Sequence, residues 1–163
     1  MLIYALIPAR SDSKRIKNKN LLKLNNKNLI QISVEQALKT VEIDKVFVST
    51  DSKKYRKIAI AAGALAPYLR SKKISRDYST DLECFQDFLY QLKKREITIP
   101  DIIVHLRATY PIREAGLISK CIRKFLKLKN KADSLRTIFR LKENIQKMWL
   151  LDKKKMIYNP ITK

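Results

Sequence analysis

Residues 2–10, Leu2-Ile3-Tyr4-Ala5-Leu6-Ile7-Pro8-Ala9-Arg10, pass in one step from an unbroken apolar run to a cationic loop. The run 2–7 suits a strand buried on both faces, because a strand with one wet face would alternate polar and apolar positions. Working outward, the same unit of apolar strand and polar loop recurs. Lys45-Val46-Phe47-Val48-Ser49-Thr50-Asp51 is one copy, and Ile102-Ile103-Val104-His105-Leu106 with the polar turn 107–113 is another. Residues 66–69 read as a short extended piece and 134–139 as a further strand.

Helical spacing fills the intervals. Leu29, Ile30, Ser33, Val34, Ala37 and Leu38 share one face; Asp51 or Ser52 caps the next helix, which Gly63 closes. Ser79 or Thr80 opens a third helix, with Glu83 three residues after Thr80 as in a capping box. Its inward face is Leu82, Phe85, Phe88, Leu89 and Leu92, and Pro100-Asp101 breaks the pattern. A basic amphipathic helix over 114–127 turns Leu117, Cys121, Ile122, Phe125 and Leu126 inward. Strands alternating with helices predict an α/β domain of three layers, α/β/α, around a mainly parallel sheet. Ligands in such folds bind beyond the carboxyl ends of the strands. That rule nominates residues 8–20, 49–51 and 107–113, all of them polar or cationic.

Composition narrows the classes. A chain of 163 residues fits one domain over 1–163, and 45% hydrophobic with 31% charged residues is enough to build a core. Two glycines and five prolines exclude collagen-like and low-complexity architectures. No apolar run approaches the roughly 18 residues of a membrane span, and the opening run lacks a basic leader, so it reads as a strand and not a signal peptide. A cytoplasmic location without a membrane partner is expected. Cys84 and Cys121 fall in predicted helices and read as core thiols, not as a disulfide or metal site. The lone His105 reads as a hydrogen-bonded core histidine, which leaves no serine or cysteine a partner for a hydrolytic triad. Trp149 with Met148 reads as packing, and Lys153-Lys154-Lys155 as a solvated turn.

The formal net charge of +21 attracts phosphate. Its lysines are spread over nearly every predicted helix, whereas nucleic-acid binders more often gather cations with aromatics on one element. A nucleic-acid partner is therefore disfavoured, and global compositional drift or a phosphate-bearing ligand explains the excess. The richest segment is Ile7-Pro8-Ala9-Arg10-Ser11-Asp12-Ser13-Lys14-Arg15-Ile16-Lys17-Asn18-Lys19-Asn20. Arg10, Lys14 and Lys19 could surround a triphosphate, with Ser13 and Asn20 as neutral hydrogen-bonding groups. The segment is not a Walker loop, since GxxxxGK[ST] is absent. By charge alone it could be a solvated loop; its place directly after the first buried strand favours a ligand loop.

These residues resemble the opening signature of the acylneuraminate cytidylyltransferases, the CMP-sialic acid synthetase family. The resemblance continues through Val48-Ser49-Thr50-Asp51, Tyr68-Leu69-Arg70, Asp77-Tyr78-Ser79-Thr80-Asp81, residues 103–113 and Ala132-Asp133-Ser134-Leu135-Arg136, in the family's order. It implies a fold of the nucleotide-diphospho-sugar transferase (Rossmann-like) type. It also implies that the anomeric hydroxyl of a sialic-acid-like nonulosonic acid attacks the α-phosphate of CTP, giving a CMP-sugar and pyrophosphate with Mg²⁺ assisting. By similarity Arg10, Lys14 and Lys19 are catalytic. Ala9, Arg10, Ser13, Lys14, Asn20, Arg70 and Thr80 line the nucleotide site, while Arg107, Thr109 and Tyr110 face the sugar acid, Arg107 against its carboxylate.

Departures accompany the likeness. Asp12 stands where a small or neutral residue is usual, though Asp tolerates a left-handed backbone. Lys17, Asn28 and Ala108 replace common prolines. The family's dimer-forming arm and late metal-binding acidic pair have no counterpart through Lys163. The domain is therefore expected to be C-terminally shortened relative to the family, with metal ligands unassigned and a homodimer left open. Asp51 is assigned to helix capping and not to a metal. Two other readings remain: a catalytically incomplete nucleotide-binding remnant or half of a split enzyme, and a basic nucleic-acid-binding protein resting on net charge alone.

Overall fold

The first apolar run becomes β1 (Ile3–Pro8), whose backbone pairs on both sides. The computed structural model describes residues 1–14, 16–128, 131–138, 149–152 and 157–160. After β1 come a hairpin of β2 (Lys23–Leu24) and β3 (Lys27–Asn28), α1 (Leu29–Leu38), β4 (Lys45–Ser49) and α2 (Lys53–Ala61). Then follow α3 (Asp81–Lys94), β5 (Ile102–His105), α4 (Leu117–Leu128) and an antiparallel pair, β6 (Trp149–Asp152) with β7 (Ile157–Pro160). The main sheet has the order β4-β1-β5, and both pairings are parallel.

Alternation along β1 builds the layers. Ala5 and Ile7 join Ile30, Val34, Tyr55 and Ala59 in a core under α1 and α2. Tyr4 and Leu6 point the other way, into a second core with Phe47, Phe88 and Leu92 under α3. Each face of the sheet is thus covered by helices, as a doubly buried strand requires.

Several boundaries differ from the sequence reading. Beside β4 the paired residue is Leu65, bridging to Phe47, and not the stretch 66–69. Ser52 caps α2 by accepting from Tyr55 N at 3.3 Å, and Asp51 does not cap it. Gly63, at φ 96°, closes α2, and a Cβ there would stand 3.0 Å from Leu38 Cδ1. Helix α3 ends before Pro100, because Glu96 takes a left-handed φ of 55° while Ile97 N bonds Leu92 O at 3.0 Å. Leu82 is 63% exposed and Cys84 takes the inward place. Helix α4 begins at Leu117, three residues later than its periodicity suggested. No strand forms over the described residues 134–138, and Ile138 is 89% exposed. Phe139, Met148 and the 153–155 lysines lie outside the described residues, as do the side-chain surroundings of Trp149.

The capping box predicted for α3 forms: Thr80 Oγ1 accepts from Glu83 N at 3.2 Å and Thr80 N donates to Glu83 Oε2 at 2.6 Å. Thr80→Ala should therefore cost about 1 kcal/mol in urea denaturation. An unchanged midpoint would show that water replaces the cap.

Candidate active site

Across the sheet the segments lie in the order Leu65, β4, β1, β5, although in the chain they follow as β1, β4, Leu65, β5, so the direction of winding reverses between β1 and β5. Open α/β sheets bind ligands at such a reversal, beyond the carboxyl ends of the strands. A cleft of 260 Å³ lies there, reached by Pro8 at the end of β1, by Arg107 and Thr109 after β5, and by residues 70–84.

The loop after β1 is folded onto the sheet by named contacts. Ala9 N donates to Ser49 O at 2.9 Å, and Ser11 N and Oγ donate to the two oxygens of Asp51 at 2.8 and 2.7 Å. Asn20, 5% exposed, donates to Arg10 O at 3.0 Å and ties the loop's far end to its start. The left-handed residue is Asn18, at φ 53°, and not Asp12; its side chain accepts from Tyr55 Oη at 3.3 Å. Asp51→Ala should remove about 2 kcal/mol, since it strands the Ser11 N–H beside a lost carboxylate. Denaturation unchanged from wild type would mean the loop does not depend on that anchor.

Arg10, Ser13, Lys19, Asn20, Arg70, Thr80, Arg107 and Thr109 all line the cleft. Lys14 lines an adjoining lobe with Arg10, Ser13, Lys19 and Asp77. Two expected residues stand apart. Ala9 is 0% exposed within the α1/α2 core and its N–H is already used. Tyr110, 59% exposed, lies with its ring 5.7 Å from the Arg113 guanidinium and does not line the cleft. Arg70, 6% exposed, is fixed by Nε to Ser75 Oγ and Nη1 to Cys84 Sγ, each at 3.1 Å, and so presents a rigid cation to the floor.

The sequence reading missed the carboxylates of the cleft. Asp77 sits 2.8 Å from Arg10 and 3.2 Å from Lys14, and Asp81 pairs with Arg107. Asp81 opens α3, where the helix dipole favours an acid, and that was the available signal. The loop bearing Arg107 is held to α1: Gln36 Nε2 donates to Pro111 O at 2.8 Å, Arg113 donates to Gln36 Oε1, and Arg113 Nη2 donates to Arg107 O at 2.8 Å. Ala108, at the position of the expected proline, is 1% exposed and packs into the core.

His105 packs edge-on against Phe85, ring centres 5.1 Å apart, and its buried Nε2 has no hydrogen-bond partner among the described residues. Packing, not a hydrogen bond there, holds it. Burial pushes its pKa below the ordinary 6.5, against an opposing pull from Asp81. A depressed histidine pKa makes protonation favour the unfolded chain, so stability should fall as pH drops through the ordinary imidazole range. His105→Gln should flatten that part of a denaturation series; an identical slope would remove His105 as its cause.

Among the described residues no group of three or more acidic, thiol or imidazole side chains is placed to hold a metal ion. No described helix is long and apolar enough to cross a membrane.

The chain is similar to several known cytidylyltransferases. The pseudaminic acid cytidylyltransferase of Campylobacter jejuni is 31% identical over 153 residues, 94% of this chain and 65% of that protein. The CMP-N,N'-diacetyllegionaminic acid synthase of Legionella pneumophila is 33% identical over 122 residues, 75% of this chain and 52% of that one. The chain thus spans less than two thirds of the length of these curated relatives. A solved CMP:2-keto-3-deoxy-manno-octonic acid synthetase, in complex with CTP, superposes with a TM-score of 0.64 at 21% identity, over 78% of this chain and 48% of that one. That likeness places the chain in the nucleotide-diphospho-sugar transferase fold. With the cytidylyltransferase family model matching residues 4–154, nearly the whole length, the chain belongs to the cytidylyltransferase family.

Proposed function

We propose that the chain transfers CMP from CTP to a sialic-acid-like nonulosonic acid, releasing pyrophosphate. The observation that carries this reading is the meeting of Arg10, Ser13, Lys19, Asn20, Arg70, Thr80, Arg107 and Thr109 around one cleft at the sheet's reversal, in a chain of this family. Relatives that act on pseudaminic and legionaminic acids support the substrate class.

In this proposal the triphosphate lies along the loop after β1. Arg10 clamps phosphate oxygens with its fork of donors, while Lys14 and Lys19 supply compact charge where negative charge grows during attack. Asn20 keeps the loop closed while the cations are presented. Arg70 and Thr80 bound the nucleotide, and Ser13 offers it a hydroxyl. On the opposite wall Arg107 pairs with the sugar acid's carboxylate, for which its partner Asp81 must yield. An in-line attack asks for this positioning and neutralisation more than for covalent help. Mg²⁺ would enter on the triphosphate and add charge neutralisation there, a mode that suits an ion content with few carboxylates.

The test is the thermal shift of the purified chain with CTP, set against ATP, GTP and UTP. A ligand at a hundredfold excess over its dissociation constant adds about 2.7 kcal/mol to the folded state. A shift selective for CTP is expected. Equal shifts with all four nucleotides would reduce the cleft to a general phosphate trap, and no shift would overturn the proposal.

A further inference from the structure

Two cations of the phosphate loop share one carboxylate. Arg10 Nη2 lies 2.8 Å from Asp77 Oδ1 and Lys14 Nζ lies 3.2 Å from Asp77 Oδ2. One oxygen goes to each cation, as two oxygens of a phosphate chain would. Asp77 lines the main cleft and its adjoining lobe alike, so it stands between the two and not at the rim.

The pairing is wet. The Asp77 side chain is 35% exposed and that of Lys14 is 80% exposed. Exposed ion pairs of this kind are weakly held and readily exchanged. Asp77 also lies outside regular structure, between the short helix Lys72–Ile74 and α3. Its neighbour Arg76 closes a local turn by donating N to Ser79 Oγ at 3.1 Å. The carboxylate can therefore turn away without breaking a sheet or helix bond.

We propose that Asp77 is a built-in competitor for the phosphate chain: it neutralises Arg10 and Lys14 in the free protein and releases both when a polyphosphate arrives. This rests on the placement of the triphosphate along residues 10–19 in the proposed function. Its consequence is specificity. A small monovalent anion gains little by displacing a carboxylate that satisfies two cations, whereas a chain of phosphates replaces both contacts at once.

The experiment titrates inorganic tripolyphosphate into the protein by calorimetry, without nucleotide or metal. Asp77→Asn should tighten binding about fivefold, the scale of a partly exposed ion pair. Asp12→Asn removes the same charge from an exposed position on the phosphate loop itself and should change affinity less than about twofold, through solvent screening. In a Lys14→Ala background the gain from Asp77→Asn should shrink. Asp77→Glu, which keeps the charge, should stay near wild type, and it keeps the idea testable if the Asn variant folds poorly. Equal effects of Asp77→Asn and Asp12→Asn would overturn the proposal. So would an Asp77→Asn gain undiminished by Lys14→Ala, or a Glu variant that binds as tightly as Asn. The outcomes separate from those of the nucleotide test. Tightened tripolyphosphate binding without CTP selectivity sinks the nucleotide reading alone, and CTP selectivity without an Asp77 effect sinks the competitor alone.

Discussion

Lys14→Ala should slow release of pyrophosphate from CTP by about a hundredfold or more while leaving the urea midpoint nearly unchanged. The two halves of that expectation have separate causes. The Lys14 side chain is 80% exposed and its ion-pair partner is the half-exposed Asp77, so its removal costs the fold less than about 1 kcal/mol. Its ammonium lines the lobe that the proposal gives to the triphosphate, beside Arg10 and Lys19, and deleting one group that meets developing charge typically costs 10²–10³ in rate, about 3 kcal/mol of barrier. CTP affinity should fall much less than the rate, because ground-state phosphates keep Arg10 and Lys19. A variant that turns over within about threefold of wild type would take Lys14 out of the transition state. A variant that loses affinity and rate in equal measure would make it a binding residue only.

How far the sequence could be read depended on whether a feature was set by neighbours in the chain or by distant segments. The doubly buried strand was legible because β1 needs apolar side chains at every position: Tyr4 and Leu6 serve one core, Ala5 and Ile7 the other. The loops at the strand ends were legible for the same reason, since polarity sets in where burial stops. Helix α3's box was local, Thr80 to Glu83, and formed as read. The hairpin at β2 and β3 was missed although Asn25-Asn26 signalled it; both residues take left-handed φ, 48° and 64°, as a tight two-residue turn needs.

What was not legible involved charge meeting charge across the fold. Asp51 looked like a cap because it precedes a helix, yet its oxygens go to Ser11 on the neighbouring loop. Asp77 opens one of the motifs of the resemblance, but nothing local shows its role; it matters because the chain returns it to Arg10 and Lys14. Arg10, Lys14 and Lys19 could be listed from residue type, and Arg70 and Arg107 from the family resemblance, but their counter-ions could not.

The largest loss of stability should follow Phe88→Ala. Phe88 is 0% exposed and meets the Phe47 ring edge-on, centres 5.1 Å apart at 63°, while Phe47 in turn lies against Tyr4. Emptying that site should cost about 3–5 kcal/mol, a sizeable part of the roughly 5–15 kcal/mol that holds an ordinary domain together. For a chain of this size that corresponds to a fall of about 10 °C in Tm. Phe88→Leu, which refills most of the volume, should cost less than about 2 kcal/mol. Leu82→Ala is the informative partner, because helical periodicity put both residues on one inward face of α3. Leu82, 63% exposed in the helix's first turn, should lose less than about 1 kcal/mol. Equal losses at 82 and 88 would mean that α3 packs along its whole length. A large loss at 88 alone would show that α3 is anchored at its middle, while its first turn, which carries Thr80 and Asp81 at the cleft, adds little to the core.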